Sequence, residues 1–200
     1  FEWRHKILAA IRALEGGISF SGIVEADELL MQYSEKGRKY KSKQEYENAK
    51  KKRHPKVAVL VVTDREGNLL FKQVGEKKVK DEQLREELKN RLSENNLICV
   101  KPKKEFRKGV KGLQSKKVIV NKKQIKRGIY SVKIVESKIS DFKTWLSRFH
   151  GVATKYLQSY LMWFVIMNKY LKELIDPDIG RLLNLSSHDR WAWDKYREIV

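Results

Sequence analysis

The sequence VAVLVVTDREGNLLFKQVG at residues 57–75 carries the clearest structural signal in this chain. Residues 57–63 are continuously apolar and rich in valine, which is typical of a strand buried on both faces. The polar segment 64–68 predicts a turn, and residues 69–75 predict the strand that returns beside the first. We therefore expect a β-hairpin whose first strand is fully buried.

Segments on the N-terminal side of this hairpin predict a helix, a strand and a basic connection. Residues 1–14 have apolar positions at helical spacing, and this helix should end at the glycines 16 and 17. Residues 18–33 (ISFSGIVEADELLMQY) predict a buried strand that contains an acidic cluster. Residues 35–56 are strongly basic and predict a solvated loop or short helix.

Segments on the C-terminal side alternate between helix and strand. Within the lysine-rich stretch 101–128, only residues 118–120 resemble a strand. The resulting order of elements predicts an α/β fold with a mixed sheet flanked by helices. The other expected elements are a helix at 81–94, a short buried strand at 97–100, and helices at 134–149 and 153–174.

The composition indicates a polyanionic partner. The 44 lysine and arginine residues outnumber the 25 aspartate and glutamate residues, which gives a net charge of +19. Such an excess favours nucleic acid, which is bound through phosphate neutralisation and counterion release. An anionic membrane surface, or no polyanion at all, are the alternatives that charge alone leaves open.

Cysteine content and hydropathy favour a cytoplasmic protein without a membrane segment, and a nucleic-acid partner would make it nucleoid-associated. Cys99 is the single cysteine, so an intrachain disulfide and a zinc ribbon are both excluded. The first residues lack the apolar core of a signal peptide. The most apolar stretch, residues 156–168, is shorter than the roughly 20 residues that span a membrane.

Two basic segments, 35–56 and 101–127, are the expected surfaces for a nucleic acid. They contain far more lysine than arginine, which suits contacts with a phosphate backbone better than base reading. With the family resemblance given below, the expected partner is duplex DNA. The predicted DNA-binding residues are Lys39, Lys41, Lys43, Lys50, Lys51, Lys52, Arg53, Lys103, Lys104, Arg107, Lys108, Lys111, Lys116, Lys117, Lys122, Lys123, Lys126 and Arg127.

Acidic residues in the first strand are candidate metal ligands. Glu25 and Asp27 point to the same face, because side chains alternate along a strand. Carboxylates in a buried strand are costly unless they are paired or bind a cation. The alternative is that the acids lie at an exposed strand end. Glu136 taken alone is an ordinary acid near a helix start.

Aromatic residues are concentrated in the C-terminal third of the chain. Those at helical spacing are expected to pack in the core rather than to stack on bases. Trp191 and Trp193 are harder to place in a core and are candidates for a contact with a partner. The core set is Trp145, Tyr156, Tyr160, Trp163 and Phe164.

Four segments of this chain resemble the DDE transposases of bacterial insertion sequences, in the ISXO2-like subgroup related to the eukaryotic Merlin elements. They follow one another in the order found in that family, and the last segment is the most specific. The segments are 3–8 (WRHKIL), 22–28 (GIVEADE), 59–68 (VLVVTDREGN) and 145–157 (WLSRFHGVATKYL).

This resemblance implies a ribonuclease-H-like core of the transposase and integrase type. It also implies cutting and joining of transposon-end DNA with two Mg²⁺ ions, for which Mn²⁺ can substitute. Asp27 matches the first catalytic carboxylate and Glu136 the third, so these two would bind the metal, with Glu25 as a further candidate ligand. Pairing of two DNA ends implies a homodimer.

The resemblance fails at the second catalytic acid. The family has an Asp just after a short strand, where this chain has Lys101 in the sequence LICVKP. An ammonium cannot ligate Mg²⁺ and repels it. A Tyr-His pair usual before the third acid is Tyr130-Ser131 here.

Three functions remain open from the sequence. The first is a degenerate or repurposed transposase that binds DNA without cleaving it. The second is an active enzyme in which another acid, Glu105 or Glu25, replaces the missing one. The third is a protein-interaction module derived from a transposase, in which the Trp-rich tail is the contact.

The expected domain organisation follows from the same resemblance. Residues 1–16 correspond to the trailing helix of an N-terminal DNA-binding region that is missing here. Residues 17–174 form the ribonuclease-H-like transposase core. Residues 175–200 form a tail with a short helix.

Overall fold

A computed structural model of the chain describes residues 2–12, 17–51, 54–120 and 126–170. The predicted C-terminal tail at 175–200, with its two tryptophans, lies outside the described residues. So do the last residues of the predicted helix at 153–174.

A five-stranded mixed sheet organises the described chain, with the strands in the order β3-β2-β1-β4-β5. Strands β1, β2 and β3 are antiparallel, and β1, β4 and β5 run parallel. The predicted hairpin is β2–β3, and every residue of β2 is buried as expected. The strands are β1 (Ile23–Met31), β2 (Val57–Asp64), β3 (Leu69–Glu76), β4 (Leu97–Val100) and β5 (Lys116–Ile119). A separate two-stranded ribbon pairs β6 (Lys126–Arg127) with β7 (Tyr130–Ser131).

Six α-helices surround these strands within the described residues. The basic segment 35–56 contains a short helix, α2, that buries none of its residues, which confirms the expected solvated character. The helices are α1 (Glu2–Arg12), α2 (Lys43–Lys51), α3 (Asp81–Lys89), α4 (Lys104–Lys111), α5 (Lys133–Ser147) and α6 (Leu157–Tyr170), and a 3-10 turn (Thr154–Tyr156) precedes α6.

The sheet separates two hydrophobic clusters. On one face, side chains from β1 and β2 pack against α3 and α4, with Leu84 and Phe106 fully buried. On the other face, Phe71 of β3 contacts Phe142 of α5 and Phe164 of α6. Helix α1 packs against α6 in a third cluster. The expected α/β class, with a ribonuclease-H-like mixed sheet flanked by helices, is confirmed.

The main difference from the sequence-based expectation is α4. Its lysine-rich sequence and an internal glycine hide the helical pattern. Gly109 is required because a Cβ there would lie 2.7 Å from Cδ2 of Leu84 and 2.9 Å from the carbonyl oxygen of Asp81. The close approach of α4 to α3 therefore explains a residue that disfavours helices when read locally.

The aromatic residues of α5 and α6 pack largely as expected. Phe164, Tyr160 and Tyr156 are buried, and Trp145 and Trp163 are half-buried in the same clusters. Among the helices of the described segments, none is both long and apolar enough to cross a membrane.

Candidate functional site

The candidate site lies where β1 and β4 run side by side. The two strands are parallel, and Ala26 of β1 is in register with Val100 of β4. The next residues along each strand are Asp27 and Lys101, so the register brings these two side chains to the same level of the sheet. The predicted first and second catalytic positions are thus adjacent.

Asp27 and Glu136 share one cation, the ammonium group of Lys101. Its Nζ atom lies 2.5 Å from Oδ2 of Asp27 and 2.6 Å from Oε1 of Glu136. Asp27 has only 5% of its side chain exposed, whereas Lys101 has 29%. The structure therefore brings the two predicted catalytic acids together, but a lysine connects them.

A second lysine completes the neutralisation of the acidic cluster. Nζ of Lys103 lies 3.0 Å from Oδ1 of Asp27 and 2.9 Å from Oε1 of Glu28. The other oxygen of Glu28 accepts a hydrogen bond from the backbone N–H of Val79 at 3.1 Å. Each carboxylate oxygen of Asp27 thus faces an ammonium group, and Lys103, predicted to contact DNA, is held by acids within the protein.

The pKa of Lys101 is raised above the ordinary lysine value. Burial acts in the opposite direction, since it disfavours the charged form, but hydrogen bonds and charge attraction from Asp27 and Glu136 outweigh it. The ammonium form is therefore the one present at neutral pH, and the site contains an internal cation.

Glu25 lies on the same face of β1 as Asp27, as predicted, but its carboxylate is bound elsewhere. It is fully buried. Oε1 accepts a hydrogen bond from the Ser131 hydroxyl at 2.8 Å. Oε2 accepts from the backbone N–H groups of Ile134 and Val135 at 2.9 and 3.1 Å.

These contacts put Glu25 at the N-terminus of α5, where a carboxylate satisfies orphan N–H groups and complements the helix dipole. Helix α5 carries Glu136 in its first turn. Glu25 therefore positions the helix that presents Glu136. The prediction that Glu25 is a metal ligand stays a prediction.

The side chains around the ion-paired lysine form an open cleft of about 380 Å³. Its lining contains three acids and three lysines, so the cleft is balanced in charge: Asp27, Glu28, Glu136, Lys101, Lys103 and Lys143. In the described part of the chain, no group of three or more His, Cys, Asp or Glu side chains is arranged to hold a metal ion.

Glu105, the other predicted substitute for the missing acid, does not line this cleft. It lies in the first turn of α4, and its carboxylate forms an ion pair with Lys78. The hydrogen bond and charge of Lys78 lower the pKa of Glu105.

The predicted DNA-binding residues fall on two exposed surfaces. One surface is the outer face of α4 with the adjacent edge strand β5, and the other is the segment around α2. We call the first the α4 surface, and its exposed members are Lys104, Arg107, Lys108, Lys111, Lys116 and Lys117. The exposed members of the second are Lys39, Lys41, Lys43, Lys50 and Lys51. Lys52, Arg53, Lys122 and Lys123 lie outside the described residues, as do the side chains of Lys126 and Arg127.

Two features of the site were missed by sequence reasoning. The capping role of Glu25 depends on a partner 106 positions away, for which the sequence carries no local signal. The pairing of Lys103 with Asp27 and Glu28 was hidden because a lysine among many lysines is indistinguishable from a surface cation. The acids within the buried strand were the sequence's hint of both features, because buried carboxylates need a partner.

One of the comparisons with known proteins identifies a family. Searches of curated proteins and of solved structures return no significant match. The model of the ISXO2-like transposase domain matches residues 19–166, which include β1 to β5 and α5 and most of α6. Membership is compatible with the Mg²⁺ that such transposases use. Because the match covers most of the chain, this protein belongs to the ISXO2-like transposase domain family.

Proposed function

We propose that this protein is a DNA-binding member of the transposase family whose candidate catalytic site is closed by Lys101 and does not support metal-dependent strand cleavage. The observation that carries this proposal is the double ion pair of Lys101. Its Nζ lies 2.5 Å from Asp27 and 2.6 Å from Glu136, the two acids that match catalytic positions of the family.

The residues present do not fit a pair of divalent ions. Two-metal phosphoryl transfer needs carboxylates that hold the ions about 4 Å apart. Here Asp27 and Glu136 contact an ammonium, which repels a metal ion and has no lone pair to donate.

The register of the sheet supports the assignment of Lys101 to the position of the family's second acid. Ala26 pairs with Val100 across parallel strands, so the residue after β4 lies beside Asp27. The substitutes considered from the sequence are engaged elsewhere, Glu105 with Lys78 and Glu25 at the start of α5. These contacts favour a non-cleaving protein over an active enzyme.

DNA binding is proposed from the α4 surface. Lys104, Arg107, Lys108 and Lys111 recur at helical spacing on the exposed side of α4, while Phe106 and Val110 between them are buried. A cationic row of this kind follows a phosphate backbone without reading bases. We therefore expect duplex binding that is independent of sequence and weakens steeply with salt.

Nicking of supercoiled plasmid in Mn²⁺ tests the loss of cleavage. The native protein should bind the plasmid without nicking it, and Lys101→Asp should introduce nicking because it supplies the missing carboxylate. Adding Asp27→Ala to that variant should abolish the gained activity. Lys101→Asn is the matched control, since it removes the ammonium without supplying a carboxylate. Nicking by the native chain that disappears with Asp27→Ala would show an active enzyme instead.

Salt-dependent duplex binding tests the other half of the proposal. Arg107→Gln and Lys108→Gln together should lower the slope of log affinity against log salt by about two, at roughly 0.9 per phosphate contact. Lys89→Gln is the matched control, because Lys89 is an exposed lysine at the end of α3, outside the predicted DNA-binding set. Absence of duplex binding at low salt would contradict the proposal.

A further inference from the structure

A large cleft lies away from the acidic cluster, between α1, α6 and the turn that follows α5. It encloses about 1160 Å³ and is open to solvent. That is larger than the roughly 300–1,000 Å³ of a typical small-molecule pocket. Among the described residues that line it, none is acidic.

The lining of this cleft, which we call the aromatic cleft, combines rings with cations. Phe149 and Trp163 are half-buried and stand 5.4 Å apart between ring centroids. Tyr160 packs against both rings, at 5.0 Å from Phe149 and 5.8 Å from Trp163. Arg148 and Lys39 are exposed at the rim.

The wall of the aromatic cleft is held in a defined shape. Nζ of Lys36 donates hydrogen bonds to the carbonyl oxygens of Phe149, His150 and Gly151, at 2.9 to 3.2 Å. His150 adopts a left-handed backbone with φ of 50°. Such a conformation in a non-glycine residue persists only where the surrounding contacts over-determine it. Phe149 is thus presented on a fixed turn, and Tyr160 and Trp163 are presented on α6.

The same turn lies inside the segment 145–157, the most specific of the resemblances found in the sequence, and the acidic cluster makes no use of it. Its apolar residues satisfy the expected core packing on their inner sides. Phe149, together with the half-buried Trp163 of α6 and the exposed Arg148, also lines the aromatic cleft.

We infer that the aromatic cleft binds unpaired nucleotides of a single-stranded DNA segment. Aromatic rings offer stacking surfaces to bases, and cations follow the phosphates, which is the combination that binds single strands without sequence preference. Duplex DNA is a poorer match, because its bases are stacked on each other and expose only their edges. An acidic protein partner would bind the cations but would not account for the aromatic rings.

This inference deepens the proposed DNA binding and rests on it, since the α4 surface would take duplex DNA and the aromatic cleft an adjoining unpaired stretch. Three fluorescently labelled probes separate the two sites in titrations of the full chain. They are a short oligothymidylate, an abasic oligonucleotide of the same length, and a duplex of the same length.

The native protein should bind the oligothymidylate about tenfold more tightly than the abasic strand, which is the gain expected from stacking roughly one base. Trp163→Leu and Phe149→Leu should each reduce this preference several-fold and leave duplex binding unchanged. Arg148→Gln should weaken both single strands equally, because it removes a phosphate contact and no ring. Since Arg148 is exposed, this variant is informative even if a ring variant unfolds.

Equal affinity for the abasic strand and the oligothymidylate overturns the inference. So does a base preference that survives both leucine variants in folded protein, as judged by melting temperature. If duplex binding persists in either case, the proposed function stands and only the aromatic cleft is rejected. Failure to bind all three probes rejects both.

Discussion

The ammonium of Lys101 lies 2.5 Å from the carboxylate of Asp27, and the two residues follow paired positions of neighbouring parallel strands. Because only 5% of the Asp27 side chain is exposed, that carboxylate depends on the protein for its counter-charge. Lys101 supplies this counter-charge at one oxygen of Asp27, and Lys103 supplies it at the other.

Removing the Lys101 ammonium should destabilise the fold. We expect Lys101→Met to lower the free energy of unfolding by about 1–3 kcal/mol, less than for a fully buried pair because Lys101 is partly exposed and Lys103 still faces Asp27. In a double-mutant cycle with Asp27→Asn, the double variant should lose about 0.5–3 kcal/mol less unfolding free energy than the sum of the two single losses. Urea denaturation measures each corner of the cycle, and strictly additive losses would show that the ion pair contributes nothing.

The contribution of Lys101 should depend on pH in the alkaline range. Its pKa is raised in the folded protein, so its stabilising effect is fully present below the ordinary lysine value of 10.5 and is lost as pH rises through the folded value. The difference in unfolding free energy between native protein and Lys101→Met should be constant from about pH 8 to about pH 10 and shrink above that. Lys89→Met, at an exposed position, serves as control. A difference that stays flat to about pH 11 contradicts the raised pKa.

Replacing the buried Glu25 should loosen the start of α5. Glu25→Gln keeps the shape but turns an amide group toward backbone N–H donors, and we expect a loss of about 1–3 kcal/mol in unfolding free energy. Ser131→Ala removes only the hydroxyl partner and should cost about 1 kcal/mol. Hydrogen exchange should speed up most at the first turn of α5. Unchanged protection there would mean that Glu25 does not cap the helix.

A methyl group at Gly109 should separate α4 from α3. Gly109→Ala should destabilise by about 1–3 kcal/mol through overpacking against Leu84, although alanine favours helices by about 1 kcal/mol. Gly112→Ala is the matched control. The three atoms nearest to the added Cβ would all belong to the Arg85 side chain and not to backbone, so a smaller loss is expected. Thermal unfolding compares the two, and equal losses would show that the close approach of the helices is not the cause.

Much of the fold was readable from local sequence. The continuous valine-rich run 57–63 and the apolar segment 18–33 predicted β2 and β1, since strands buried on both faces are written as apolar runs. Helix α4 was missed because its charged face dominates the composition and Gly109 argues against a helix. The reason for that glycine is a contact with another helix.

The sequence by itself determined the α/β class and the excess of positive charge. Through the family resemblance, it also identified Asp27, Lys101 and Glu136 as the residues at the three catalytic positions. Only the tertiary structure decided what those residues do, because ion pairs join side chains from distant segments whose spacing no local pattern encodes. The parallel pairing of β1 with β4 and the docking of α5 by Glu25 bring two carboxylates to one ammonium. The hydrogen bonds and charge attraction of these two carboxylates outweigh the opposing effect of burial on the pKa of Lys101.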